Sequence, residues 1–324
     1  MIGAGASTPA RLRTVIIDAN YFRSLREPEL DALRVRGFSL RVSLSAFIEV
    51  WANAVENADP GRIYAPARRL APYVSKDWPI APSGGSLIRA VGGRIPPNKA
   101  TPFLGDASEF FRNARRVWTD LITEQGHTEW WERSGRLIAS HVKDRADHWI
   151  DLARNWRERR PEHSEAKHED TLRKIEQVGH DAIRRAVFPY VVRSHGDPQL
   201  RNPALRDRMN AYLRVMALRL FETGRGAETA TPNDAEDLIQ LQHLGTPAFL
   251  MTADADIHFD VSRAGTFQAP WVRRLVEMLE DDLPEGSPWG ATAIAQAARF
   301  GPRSKQGLKE LAARELQAVK ELRE

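Results

Sequence analysis

Four carboxylates stand at equivalent places along the chain. Asp18 closes the short apolar run Val15-Ile16-Ile17, and Asp254 follows the run Ala248-Phe249-Leu250-Met251. Glu49 lies one turn into an apolar helical stretch, and Asp237 falls in the first turn of another. In an open parallel sheet, the carboxyl ends of strands and the starts of the following helices gather on one edge, where ligands bind. Carboxylates brought that close raise one another's pKa values unless a cation neutralises them. The chain has no cysteine, which excludes disulfides, thiolate metal sites and cysteine nucleophiles together. An all-oxygen donor set favours Mg²⁺ or Mn²⁺ over zinc. One or two such ions can activate water and stabilise charge on a phosphodiester during in-line displacement.

The intervening sequence must build the elements that position these acids. Val15-Ile16-Ile17-Asp18 is β-branched and too brief for a helix, the pattern of a buried parallel strand. A second strand is expected where Phe38, Leu40, Val42 and Leu44 alternate with polar residues, with Ser45 as N-cap of the helix that carries Glu49. Leu238, Ile239, Leu241 and Leu244 predict a helix over 234–244 that feeds a third strand at 248–251. Residues 60–104 hold too much Pro and Gly for anything beyond loop and short helices. Residues 106–222 read as several amphipathic helices. Helices return over 271–283, 291–300 and from 308 onward. The expected organisation is an α/β unit split between 1–59 and 226–262, a loop and mostly helical insertion over 60–225, and a helical segment over 263–324.

The pieces Val15-Ile-Ile-Asp18-Ala-Asn20, Ser45-Ala-Phe-Ile-Glu49, Asn233-Asp234-Ala-Glu-Asp237 and Phe249-Leu-Met-Thr252-Ala-Asp254 resemble, in order, the motifs of the PIN-domain nucleases. The resemblance covers about residues 13–57 and 230–262. The family's small toxin members are less than half this length, so the insertion departs from their pattern. The resemblance implies a three-layer α/β domain with a parallel sheet. It also implies a metal-dependent endonuclease that cuts single-stranded RNA, with single-stranded DNA as the alternative substrate, leaving 5′-phosphate and 3′-hydroxyl ends. Carried over residue by residue, Asp18, Glu49, Asp237 and Asp254 form the acidic cluster that holds Mg²⁺ or Mn²⁺, supported by Asn20 and Thr252. Asp234 competes with Asp237, as an N-cap or a fifth ligand, and Asp256 competes with Asp254. A homodimer and an inhibitory partner protein are further expectations of this kind; toxin, defence and processing roles would all show these acids. The rival reading is a PIN-like module that binds nucleic acid or protein without turnover.

Each acid also has a plain explanation: Asp18 as a strand-end turn residue, Glu49 as part of a solvated helix face, Asp234 and Asp237 as partners of a helix dipole. Net charge is +4, and 39 of the 47 basic residues are Arg, which permits an anionic partner without requiring one. Residues 112–219 hold 22 Lys and Arg against 16 Asp and Glu, interleaved with Trp118, Trp130, Trp131, Trp149 and Trp156. Either the Arg and Trp side chains track a strand by phosphate contact and base stacking, or the tryptophans pack a core that the arginines solvate. On the first reading Arg157, Arg159 and Arg160, with Arg112, Arg115 and Arg116, are the densest phosphate contacts. Arg136 with His141, and Arg157 with His163, match the Arg-x4–6-His spacing of the HEPN ribonucleases, which chance supplies readily in so Arg-rich a chain. There is no Walker loop, dinucleotide fingerprint, His-Glu-x-x-His or Gly-x-Ser-x-Gly. No apolar run approaches a membrane span and no signal peptide is apparent, so the expected compartment is the cytoplasm.

Overall fold

The computed structural model describes residues 13–76, 79–81, most of 118–123, 129–158, 173–174, 207–226 and 229–324. Strand β1 (Arg13–Ile17) buries Val15, Ile16 and Ile17 on both faces, as a central strand must. The chain then forms helices α1 (Ala19–Ser24) and α2 (Glu27–Val35). Gly37, at φ +77°, provides the left-handed turn that ends α2. Strand β2 (Phe38–Val42) buries Phe38, Leu40 and Val42 and leaves Ser39 and Arg41 partly exposed, the alternation of a strand covered on one face. Helix α3 (Leu44–Glu56) follows, and its N-cap is Ser43, not Ser45, because the strand stops at Val42 and the helix starts two residues earlier than expected. Ser45 is instead a buried residue of the first turn, 2.8 Å from the Ser43 hydroxyl.

The Pro-rich stretch holds one described helix, α4 (Gly61–Leu70), with Pro66 inside it. Val74 and Ile80 then bridge in parallel to Leu40 and Val42 and extend the sheet beyond β2. Next come α5 (Glu129–Glu158), α6 (Asn210–Arg225), α7 (Pro232–Leu241) and strand β3 (Ala248–Met251). After β3 stand α8 (Ala255–Arg263), β4 (Val272–Arg273), α9 (Leu275–Met278), α10 (Gly290–Phe300) and α11 (Lys305–Arg323). A continuous helix over 271–283 is thus replaced by a short strand and a short helix. Val272 and Arg273 pair with Leu250 and Met251, and a two-residue strand is too brief to register as a period in sequence.

The protein is α/β, with an all-parallel sheet in the order β2-β1-β3-β4. β1 pairs on one side with β2, Ile17 opposite Val42, and on the other with β3, Ile17 opposite Met251. The chain therefore leaves β1 toward one edge of the sheet and β3 toward the other. The crevice outside their carboxyl ends is a topological switch point, the position where such sheets bind ligands.

The core is continuous with the described helices between the two sheet-forming segments. Trp118, Leu121, Trp149, Ala153, Leu213 and Phe221 belong to the same buried cluster as β1 and α3. Trp118 and Trp149, 4% and 5% exposed, are packing residues and not a stacking platform. Their rings meet apolar side chains, Trp118 lying 6.2 Å from Phe47.

α5 lies close against α3 at Gly135. A Cβ there would lie 2.2 Å from Val55 Cγ2 and 3.1 Å from Trp51 Nε1. Gly135→Ala is accordingly expected to force the helices apart and cost about 1–3 kcal/mol, read as a lower urea midpoint at unchanged slope. Unaltered stability would contradict the close approach. None of the described helices is long and apolar enough to cross a membrane.

Candidate functional site

The site begins with Asp18, the N-cap of α1, which follows the last β1 residue and brings a carboxylate to the crevice. Its Oδ1 accepts from the Tyr21 backbone N–H at 2.8 Å, and its Oδ2 accepts from the Thr252 hydroxyl at 2.6 Å. Thr252 follows β3, so this bond spans the switch point. Burial pushes the Asp18 carboxyl up to about 6; hydrogen bonds from Thr252, Tyr21 and Ala253 oppose the rise, and repulsion from Asp254 adds to it.

Thr252 also orients Asp254, whose N–H donates to the Thr252 hydroxyl oxygen at 3.0 Å. Asp254 in turn caps α8, its Oδ1 accepting from Asp256 N–H at 2.7 Å and from Ile257 N–H at 3.3 Å. The two carbonyls of this turn are gripped from behind. Thr252 O accepts from His258 Nε2 at 2.9 Å, which leaves Nδ1 of this buried, neutral imidazole to accept from Arg303. Ala253 O accepts from Arg274 at 2.7 Å. Arg274 pairs with Glu315 of α11 at 3.2 Å, Glu315 accepts from the Tyr21 hydroxyl at 2.7 Å, and that hydroxyl accepts from Leu275 N–H at 2.9 Å. A closed circuit thus runs from Asp18 through Tyr21, Glu315, Arg274 and Ala253 to Thr252 and back, hydrogen-bonded between residues except at the Thr252–Ala253 peptide bond.

Glu49 reaches the same region from α3. Burial raises its pKa, the Arg23 guanidinium 3.6 Å away counters that, and Asp254 adds to it. Asn20, exposed on α1, accepts from Arg23 at 3.1 Å. Asp237 comes from α7 and is pushed up to about 7 by burial, against the pull of Arg219 and with repulsion from Asp254 and Asp234. Arg219 is itself buried between three carboxylates: its Nε lies 2.7 Å from Asp260, and its terminal nitrogens lie 3.0 Å from Asp234 and 3.4 Å from Asp237. Neighbouring Glu236 is raised to about 7 by burial, with Arg145 at 2.9 Å opposing and Glu49 adding.

The structure therefore brings Asp18, Thr252 and Asp254 into one bonded unit, and like-charge repulsion from Asp254 reaches Asp18, Glu49 and Asp237 alike. Among the described residues, however, no three His, Asp or Glu side chains stand close enough to share one ion. Arg219 holds Asp237, Arg23 faces Glu49, and helix-capping bonds occupy one oxygen of Asp254. By donor type and charge the residues still fit a hard divalent cation: among the described residues the carboxylates of Asp18, Glu49, Asp234, Glu236, Asp237, Asp254 and Asp260 outnumber the guanidiniums of Arg23, Arg145, Arg219 and Arg263 that face them.

Asp234 is not the N-cap of α7. Thr231 holds that place, and Asp234, at the third helical position, accepts from Thr231 N–H at 2.7 Å and from Trp149 Nε1 at 3.3 Å. Asp256 is exposed and serves the Asp254 cap through its N–H. Of the expected phosphate contacts, Arg157 is exposed at the end of α5, whereas Arg112, Arg115, Arg116, Arg159 and Arg160 lie outside the described residues. His163 also lies outside them, as do the side chains of Arg136 and His141.

Sequence reasoning missed Arg219, Arg274, Tyr21 and Glu315. Arg219 did leave a signal, since a charge inside the apolar stretch Val215-Met-Ala-Leu-Arg-Leu-Phe221 requires buried partners. No protein-family model, no curated protein and no solved structure matches this chain.

Proposed function

We propose that the protein is a PIN-like, Mg²⁺- or Mn²⁺-dependent endonuclease acting on single-stranded RNA. The observation that carries the reading is the electrostatic convergence on Asp254, whose charge is felt by Asp18, Glu49 and Asp237 from three other elements at a parallel-sheet switch point. The sequence order of these acids supports it, as does the Thr252 hydroxyl that ties Asp18 to the turn bearing Asp254. Asp18, Glu49, Asp237 and Asp254 would hold the metal, which supplies an activated water and charge neutralisation at the phosphodiester. Thr252 fixes the Asp18 carboxylate, Asn20 and Arg23 stand at the exposed rim, and the ring through Glu315 and Arg274 keeps the Asp254 turn from relaxing under repulsion.

Incubation of the purified protein with end-labelled single-stranded RNA is expected to give Mn²⁺-dependent cleavage. Asp254→Asn should lower it at least about 100-fold, because it removes a group needed in the transition state. RNA binding with no metal-dependent cleavage would replace the proposal with a binding module. Full cleavage by the Asp254→Asn variant would remove these acids from the chemistry.

A further inference from the structure

The carboxylate site is negatively charged, so a polyanionic strand needs attraction from elsewhere on the surface. A run of arginines begins at the rim of the site. Arg23, 43% exposed at its side chain, faces Glu49, and its backbone carbonyl accepts from Arg69 of α4 at 2.8 Å. Arg26 and Arg323 lie close enough to Arg69 to repel it. The carboxylate among these three is Glu29, fully buried, which accepts from Arg26 N–H at 2.7 Å and from Arg323 Nε at 2.5 Å.

The Arg323 guanidinium is thus bound to Glu29, the Arg69 guanidinium is within its electrostatic reach, and that of Arg26 repels Arg69. Arg26 and Arg323 are exposed. Among the described residues the Arg26 guanidinium forms no ion pair and the buried Nε of Arg69 has no hydrogen-bond partner. Burial and then Arg26 hold the Arg69 pKa down, with Glu29 opposing and Arg323 adding. A bound anion would relieve that repulsion. The arrangement draws on α1, α2, α4 and the last turn of α11, elements that meet beside the crevice and not on the 112–219 segment.

We infer that Arg69, Arg26 and Arg323, continuing from Arg23, form a strip that holds the phosphates of a nucleic-acid strand beside the carboxylate site. The identity of the polyanion rests on the nuclease reading; the strip is tested without cleavage.

The test is fluorescence anisotropy of a labelled single-stranded RNA in EDTA, titrated at several salt concentrations. Each phosphate contact to a single strand contributes about 0.7 to the slope of log K against log salt. Arg26→Gln/Arg69→Gln/Arg323→Gln is therefore expected to flatten the slope by about 2. Arg26→Gln/Arg69→Gln, which keeps the Arg323–Glu29 pair and protects the fold, should flatten it by about 1.4. Arg299→Gln and Arg314→Gln, whose partners are Asp282 and Glu280, should leave it unchanged. An unchanged slope in the folded double variant overturns the strip, even if Mn²⁺-dependent cleavage is seen, in which case the nuclease reading stands alone. No RNA binding by the unmodified protein overturns it as well. A flattened slope without cleavage by any form upholds the strip and removes the nuclease reading.

Discussion

Asp18→Asn is expected to stabilise the metal-free protein at pH 8 by about 3 kcal/mol, while abolishing the metal-dependent cleavage proposed above. The Asp18 carboxyl is held near 6 in the folded chain against an ordinary 3.8, chiefly by burial. Because the folded state binds this proton more tightly, its contribution is present at acid pH and is lost as pH rises from about 4 through 6. Each pKa unit corresponds to about 1.4 kcal/mol, so the ionised Asp18 costs about 3 kcal/mol at neutral pH and above. Asparagine keeps the shape and an acceptor for Tyr21 N–H without the charge. Asp237, raised to about 7, has the same sign, and its loss extends to about pH 8. Urea denaturation at pH 5 and pH 8 checks this: the advantage of the variant should be large at pH 8 and shrink at pH 5. Added Mn²⁺ should stabilise the unmodified protein at pH 8 and have little effect on the variant. A variant less stable than the parent at pH 8 would show that the Asp18 charge is balanced within the protein.

The second large effect is expected at Arg219. Arg219→Met leaves Asp234, Asp237 and Asp260 without their shared buried cation and should cost about 3–5 kcal/mol at pH 7. Arg219→Lys should also be poorly tolerated, since one ammonium cannot reproduce a planar fork spread over three carboxylates. The loss should be smaller at pH 5 than at pH 8. Without the guanidinium, Asp237 moves further above 7, and a protonated carboxyl no longer needs a cation. Denaturant midpoints at both pH values provide the readout. An equal loss at the two, or one below about 1 kcal/mol, would show that Arg219 does not neutralise these acids.

The strands that carry Asp18 and Asp254 were legible because continuous β-branched or apolar runs of four residues have few other uses. Their neighbours in the sheet were not all visible. β4 is two residues long and is defined by its pairing with β3, a long-range property. Ser43 and Ser45 are equally good caps by residue type, and only the end of β2 decides between them. The order of the acids could be read, whereas the arginines that hold them could not. Arg23, Arg219 and Arg274 find their partners across 15–41 residues of separation, and no local period encodes that. The buried tryptophans illustrate the opposite hazard: an interleaved Arg–Trp composition suits stacking, yet Trp118 and Trp149 pack inside.

The hydrogen-bonded ring also has a consequence for when the site can exist. Asp18 is joined to Thr252, 234 residues downstream, and Tyr21 to Glu315, 294 residues downstream. Contacts of such separation must close long loops before anything repays the lost entropy, and they form late in folding. A growing chain presents Asp18 almost at once but has no Thr252 to hold its carboxylate and no Glu315 to anchor the turn behind it. The geometry that fixes these carboxylates is thus expected only once α11 has been synthesised, so a shorter growing chain carries Asp18 without the partners that hold it.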